Sequence, residues 1–307
     1  MEKKEIQGYF EEMGGRMVEG FPVIDAKTYK TSGGRYYLRR PGVAVLSKPS
    51  APAIKVLEGF LKGFDGSLQF DDYMADPQEL APAESLSKIA GQACYASFGP
   101  KRSKNSEADK YFENIVSSGH GSVLEHANFS FLLYGISRSL SHEWVRHRAG
   151  WAYSQLSQRY VSGRVLRFVE RPEYQDDEVL HARFEKRIEY FASEYEFLAK
   201  YLLGLQVKGK GVLSAQTKTD LRKKVQQVAR SVLPNETETL MVTTGNVRAL
   251  RHVATMRASE HAEVEIREAS FRVFICMALL APSLFRDYEV VDYSDGTRGV
   301  KTNYPKV

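Results

Sequence analysis

Cysteine is scarce in this chain of 307 residues: only Cys94 and Cys276 are present, and their separation fits no metal or redox spacing. That excludes a disulfide framework and leaves reduced thiols as the expected state. No apolar run approaches the roughly 20 residues that a membrane helix needs. Met1–Glu5 is charged, with no apolar stretch of signal-peptide type behind it, so the cytoplasm is the expected location. Neither a P-loop nor a GxGxxG fingerprint occurs, so any nucleotide cofactor must be held in another way. His147, His252 and His261 lack an HExxH spacing and sit near arginines that would repel a cation, so no metal is expected. Ser157 lacks the GxSxG context of a hydrolase nucleophile. Internal repeats and low-complexity tracts are also missing.

What remains is ordinary in bulk and uneven in detail. Hydrophobic content of 43% and charged content of 26% describe a globular chain. The net charge of +5 favours anionic partners without separating nucleotides from nucleic acid. The charge concentrates in Arg146-His147-Arg148-Ala149-Gly150-Trp151-Ala152-Tyr153-Ser154-Gln155-Leu156-Ser157-Gln158-Arg159-Tyr160, which holds three arginines, a histidine and no acid. Upstream, Arg138, His142 and Arg146 recur every four residues, one face of a helix. Past Arg148 the pattern breaks at Gly150, and a polar loop is expected. A basic helix end running into such a loop is a cradle for an anion. A charge run is usually a solvated face. Here Trp151, Tyr153, Leu156 and Tyr160 interleave with the charges, which fits a half-buried wall better.

Residues 1 to about 40 show no sustained period and read as an extension, ahead of a single domain over 41–307. Val43–Leu46, Asn128–Tyr134, Val165–Val169 and Thr239–Thr244 read as strands, with Gly135 breaking the second. Ile54–Phe64, Glu84–Tyr95, Asp109–Ser117 and Asp176–Leu203 read as helices, the last with Gly204 just past its end. Ser137 or Ser139 can cap the helix that carries Arg138. Thr219 opens another helix, which Pro234 ends. Asn246 caps a last long helix, expected from Val247 to about Leu280, and the tail from Tyr288 has little pattern. That last helix repeats an Arg/His pair at i and i+4: Arg248 with His252, and Arg257 with His261. One helical histidine is more often structural than functional; two such pairs beside an Arg/His cradle shift the balance toward a site.

Five stretches now carry a resemblance: Gly119-His120-Gly121-Ser122-Val123-Leu124-Glu125-His126, Arg146-His147-Arg148, Ser154–Tyr160, Ala229-Arg230-Ser231-Val232-Leu233-Pro234 and Met256-Arg257-Ala258-Ser259-Glu260-His261-Ala262. In that order, from about Ser85 to Tyr288, the chain resembles the flavin-dependent thymidylate synthases. It departs in two places. The stretch Ala149–Leu156 between the arginine motif and Ser157 is one residue longer than the family's usual spacing, and the first 40 or so residues have no counterpart.

The resemblance implies an α+β fold, long helices on a small mixed or antiparallel sheet, assembled as a homotetramer with shared active sites. It implies conversion of dUMP to dTMP, with methylenetetrahydrofolate giving the carbon and NADPH reducing FAD. It places His120, Ser122, Arg146, His147, Arg148, Asn246, Arg248, His252 and His261 around FAD. It places Glu143, Arg146, Gln155, Ser157, Arg159, Arg230 and Arg257 around dUMP. The chemistry of those side chains agrees. Arg159 and Arg230 are suited to fork onto a phosphate. Arg257, the catalytic candidate, can stabilise charge on a uracil carbonyl. No cysteine lies in any of the five stretches, which argues against a thiolate nucleophile. Two other readings stay open: methylation of UMP or another uridine nucleotide, admitted by the extra residue near Trp151, and a basic nucleic-acid-binding protein. Basic residues spread over three separated helices suit a closed pocket better than a long groove, so no nucleic-acid partner is expected.

Overall fold

The structure is a computed structural model that describes residues 1–50, 54–77, 79–160, 166–207 and 217–307. Its centre is an antiparallel sheet of six strands in the order β1-β2-β5-β6-β9-β7. These are β1 (Gly15–Val18), β2 (Phe21–Ile24), β5 (Gly42–Ser47), β6 (Asn128–Ser137), β9 (Glu238–Asn246) and β7 (Trp151–Gln155). Alternation builds it. Phe129, Phe131 and Leu133 of β6 and Met241 and Thr243 of β9 are buried, while Ser130, Leu132, Val242 and Thr244 between them are half-exposed. A second sheet joins β3 (Thr28–Lys30), β4 (Tyr36–Leu38) and β8 (Arg167–Val169), with β4 and β8 parallel. The fold is therefore α+β, as the resemblance implied.

Nine α-helices surround the two sheets among the described residues. They are α1 (Lys3–Glu12), α2 (Glu58–Leu61), α3 (Pro82–Cys94), α4 (Ala108–Ser117), α5 (Arg138–Trp144), α6 (Glu178–Val207), α7 (Lys218–Ala229), α8 (Val247–Arg257) and α9 (Val264–Leu280). Those that share the core of the large sheet are α1, α3, α4, α5, α8 and α9, while α6 packs on the small sheet. Most of α9, from Glu265 to Ala278, is buried, so it serves as the core's central rod rather than as an amphipathic surface helix. Phe271, Phe274, Ile275 and Met277 lie in one cluster with Phe129, Phe131 and Leu140. No helix among the described residues is long and apolar enough to cross a membrane.

Several expectations change against this fold. Residues 1–40, expected as an extension, supply α1, which packs on α9, and four strands, two of which widen the central sheet. Gly135 does not end β6. It sits at a register shift with φ 62°, and the strand runs on to Ser137, whose hydroxyl then caps α5 by accepting from the Leu140 amide. The helix stops at Trp144, so Arg146 lies just beyond it. The polar loop expected after Gly150 is β7, an edge strand paired with β9. Thr217, not Thr219, caps α7. Gly204 lies inside α6. Of the strand expected at Val165–Val169, Val165 lies outside the described residues. The patternless tail contains the hairpin β10 (Tyr288–Asp292) and β11 (Arg298–Thr302).

The last long helix is two. Between α8 and α9 the carbonyls of Glu260 and Ala262 accept from the buried Arg267 guanidinium, at 2.7 and 2.8 Å, and the Ala258 carbonyl accepts from the Val300 amide at 2.8 Å. The Arg267 side chain, a few residues on, and the distant Val300 amide take the place of the i to i−4 ladder, so the chain turns with neither glycine nor proline in the break.

Candidate functional site

The end of α5 and the end of α8 meet in a charged hub. Arg257 donates from Nε to Nε2 of His147 at 3.0 Å and from its Nη1 to the Glu143 carboxylate at 2.9 Å. The bond to His147 requires a lone pair on Nε2, so the ring is neutral. Burial, then the neighbouring Arg257 and His252 charges, push its pKa down to about 4. The His252 ring stands edge-on to it, centroids 5.6 Å apart. Tyr153 locks the turn from below. Its hydroxyl donates to the carbonyl of His147 and, at 3.3 Å, to that of Trp144. Burial holds that phenol protonated, above its usual range. Trp151 stacks on Tyr153 and meets Trp144 edge-on, which fixes β7 against α5.

The N-terminus of α8 is the second group. Asn246 caps it by accepting from the Ala249 amide at 2.9 Å. Gly150, at φ 74°, lies so close that a Cβ would sit 2.7 Å from the Asn246 amide nitrogen, so only glycine admits this approach. Arg248 pairs with Glu125 at 2.7 Å and runs past Gly121, where a Cβ would come within 2.9 Å of its Nε. His120 and Ser122 flank that contact, both exposed. Arg146 and Arg148 are exposed on the neighbouring turn, with no carboxylate partner among the described residues. Bare guanidiniums, backbone drawn close by glycine and a neutral imidazole make a donor set suited to a dinucleotide's pyrophosphate and ring edges.

The remaining predicted residues lie at the other end of β7. Gln155 donates to Ser141 at 2.8 Å and to Thr239 at 3.2 Å. Ser157 Oγ accepts from the Arg159 amide at 3.4 Å, and the Arg159 guanidinium lies over the Tyr160 ring at 5.2 Å. Arg230 stands near Arg138, whose pKa is lowered by burial and by that like charge. Among the described residues, no hydrogen bond or ion pair joins Ser157, Arg159 or Arg230 to Glu143, Arg146 or Arg257. His261 is exposed in the turn between α8 and α9 and lines a cavity of about 420 Å³ with Thr255, Tyr293 and Lys301. It does not join the hub. Among the described residues, no group of three or more histidine, cysteine or acidic side chains is placed to hold a metal ion.

Residues that motif reading passes over prove structural to this site. Glu265, buried in the first turn of α9, accepts from the Ser137 amide at 2.7 Å and its hydroxyl at 2.6 Å, so α9 fixes the N-terminus of α5. Burial pushes that carboxyl up to about 7, against those two hydrogen bonds. Glu263 pairs with Arg171 and ties β8 to the same corner. The only sequence signal was proximity: both acids follow His261 within a few positions. Cys276 is buried in the core with its thiol pushed up to about 12, and Cys94 ends α3.

An antiparallel sheet edged by the aromatic strand β7, with the His147/Arg257/Glu143 hub beside it and exposed Arg146 and Arg148 on the neighbouring turn, makes an α+β protein with a site suited to anions. The family model described as thymidylate synthase complementing protein matches residues 78–283. The chain is 41% identical over 232 residues to the flavin-dependent thymidylate synthase of Mycobacterium tuberculosis strain H37Rv, covering 74% of this chain and 90% of that one. It is 42% identical over 214 residues to that of Mycolicibacterium gilvum, covering 69% of this chain and 82% of the relative. The chain belongs to the family of flavin-dependent thymidylate synthases. A solved structure of the UMP/dUMP methylase PolB from Streptomyces cacaoi bound with 5-Br dUMP shares the fold. Its TM-score is 0.53 at 17% identity, over 81% of this chain and 94% of that one.

Proposed function

We propose that this chain is a cytoplasmic, FAD-dependent thymidylate synthase that methylates dUMP to dTMP, with methylenetetrahydrofolate as carbon donor and NADPH as electron source. The observation that carries the reading is the hub: Arg257 held between Glu143 and a neutral His147, inside the matched segment, beside bare Arg146 and Arg148. FAD, when bound, supplies the hydride. His147, Arg148, Arg248 and His252, with His120, Ser122 and Asn246 beside them, would hold it, and His261 would have to reach it from its separate turn between α8 and α9. Ser157, Arg159 and Arg230 would take the nucleotide phosphate, and Gln155 the base or sugar. Arg257 has one face on His147 and one on Glu143, so its remaining N–H groups would steady negative charge on a uracil carbonyl. Neither cysteine belongs to these groups, which supports carbon transfer without an enzyme thiolate.

Among the described residues no hydrogen bond or ion pair joins the phosphate residues to the hub within one chain. That supports the homotetramer with shared sites, in which one subunit's phosphate group faces another's hub. The test is anaerobic incubation with dUMP, methylenetetrahydrofolate and NADPH, followed by mass analysis of the nucleotide, with UMP as competitor. A gain of one methyl group on dUMP supports the reading; methylation of UMP alone moves the substrate. A colourless protein whose His147→Ala/Arg148→Ala variant binds FAD no worse than the parent sinks the flavin assignment.

A further inference from the structure

The 30-residue α6 buries Phe184, Ile188, Ala192 and Tyr195 and presents a second stripe on its far side. At 100° per residue, Val179, Arg183, Lys186, Tyr190, Glu194, Phe197 and Tyr201 all fall within about 40° of one line. The four apolar members, Val179, Tyr190, Phe197 and Tyr201, are each more than half exposed. Phe197 and Tyr201 already stack on each other, centroids 5.4 Å apart. Lys186 and Glu194 have no ion-pair partner among the described residues. Large exposed aromatics in a row on an otherwise satisfied helix mark an interaction surface.

The order of residues along the stripe says what covers it. The stripe is complementary to itself when reversed about Tyr190. Four positions either side stand Lys186 and Glu194. Seven either side stand Arg183 and Phe197. Eleven either side stand Val179 and Tyr201. We propose that α6 pairs with the α6 of a second copy of this chain, antiparallel, about a two-fold axis passing at Tyr190. Each Lys186 then meets the other copy's Glu194, each Arg183 lies on a Phe197 ring, and each Val179 packs on the Phe197–Tyr201 stack. An unrelated partner would need the same charges in the same reversed order, whereas a second copy supplies them by symmetry. This rests on the assembly part of the preceding reading and names its surface; it does not depend on the flavin or on dUMP.

The test uses the full chain. In a Cys94→Ser background, Tyr190→Cys places two thiols on the axis, within disulfide reach for closely packed helices. Mild oxidation should give a linked dimer on non-reducing gels. Lys200→Cys, ten residues along and so about 30 Å from its mate, should stay unlinked. By analytical ultracentrifugation, Lys186→Glu and Glu194→Lys should each weaken association about tenfold or more, since a like-charge pair replaces an opposite one. The double reversal should restore it. Circular dichroism must show every variant folded. A monomeric parent, no linked Tyr190→Cys dimer, or single reversals that associate like the parent would each overturn the inference. If the parent still assembles in the last two cases, only this surface falls, and the shared-site reading stands. If the α6 effects appear without any dTMP, the chemical reading falls and the interface stands.

Discussion

Replacing Arg257 with glutamine should let His147 take a proton closer to neutral pH. In the folded chain burial is the largest force against the imidazolium, followed by the Arg257 charge and then His252, and together they set its pKa at about 4. Arg257 also spends the ring's lone pair, since its Nε donates to Nε2 at 3.0 Å. Two unit charges about 5 Å apart repel by roughly 3 kcal/mol at an effective dielectric of 20. The hub is partly exposed, so about half survives screening. At 1.36 kcal/mol per pKa unit, the glutamine variant should raise His147 by about one pH unit, with burial still holding it below the usual value near 6.5. The assay is a histidine-labelled NMR titration. With seven histidines in the chain, His147→Gln assigns the peak. The sign carries into stability. The folded pKa lies below the unfolded one, so the neutral ring's contribution is full above about pH 6.5 and is lost as pH falls toward 4, where the unfolded chain binds the proton first. The variant should lose less over that window. A parent ring that titrates at 6.5 or above, or an unchanged pKa in a folded Arg257→Gln variant, would refute the hub.

Arg159→Ala should raise the dUMP KM roughly 30- to 1000-fold, from the loss of a charge-assisted phosphate contact of about 2–4 kcal/mol. Arg159→Lys should recover only part, and full recovery would remove the bidentate role. Ser157→Ala should still form dTMP with a weakened KM, and Ser157→Cys should form no stable adduct, because the neighbours Gln155, Gln158 and Arg159 include no base to activate an alcohol. A covalent Ser157–nucleotide species by intact mass decides against this. Arg251 is fully buried, donating to the Leu284 carbonyl, to a main-chain oxygen of Val307 and to both oxygens of Asp287. Arg251→Ala should cost about 3–5 kcal/mol in urea unfolding, since it strands Asp287 and the main-chain oxygens of Leu284 and Val307. A loss below about 1 kcal/mol would show that the tail is anchored by other means.

Local chemistry announced a good part of this protein. The period-2 run of Phe129, Phe131 and Leu133 had to be a strand with one buried face, because adjacent side chains point oppositely. Asn246 ahead of Val247 had to open a helix, because its carboxamide satisfies an orphan amide. The arginine and histidine stretches were legible as a candidate site because their order matched a known family. What one dimension hides is any choice made by a distant partner. Gly150 looked like the entrance to a loop, but β9 offered β7 an unpaired edge, and hydrogen bonding across the sheet overrode the weak local preference of Trp151–Gln155. The run from Val247 to Leu280 has helical period throughout, yet it breaks where Arg267 and β11 take its carbonyls. Residues 1–40 carry too little period to show that β1 and β2 complete a sheet whose next strand, β5, starts only at Gly42. The pairing of Arg257 with His147, 110 residues away, was likewise set only by packing α5 and α8 together, because the free energy of that contact exists only once both helix ends are desolvated side by side.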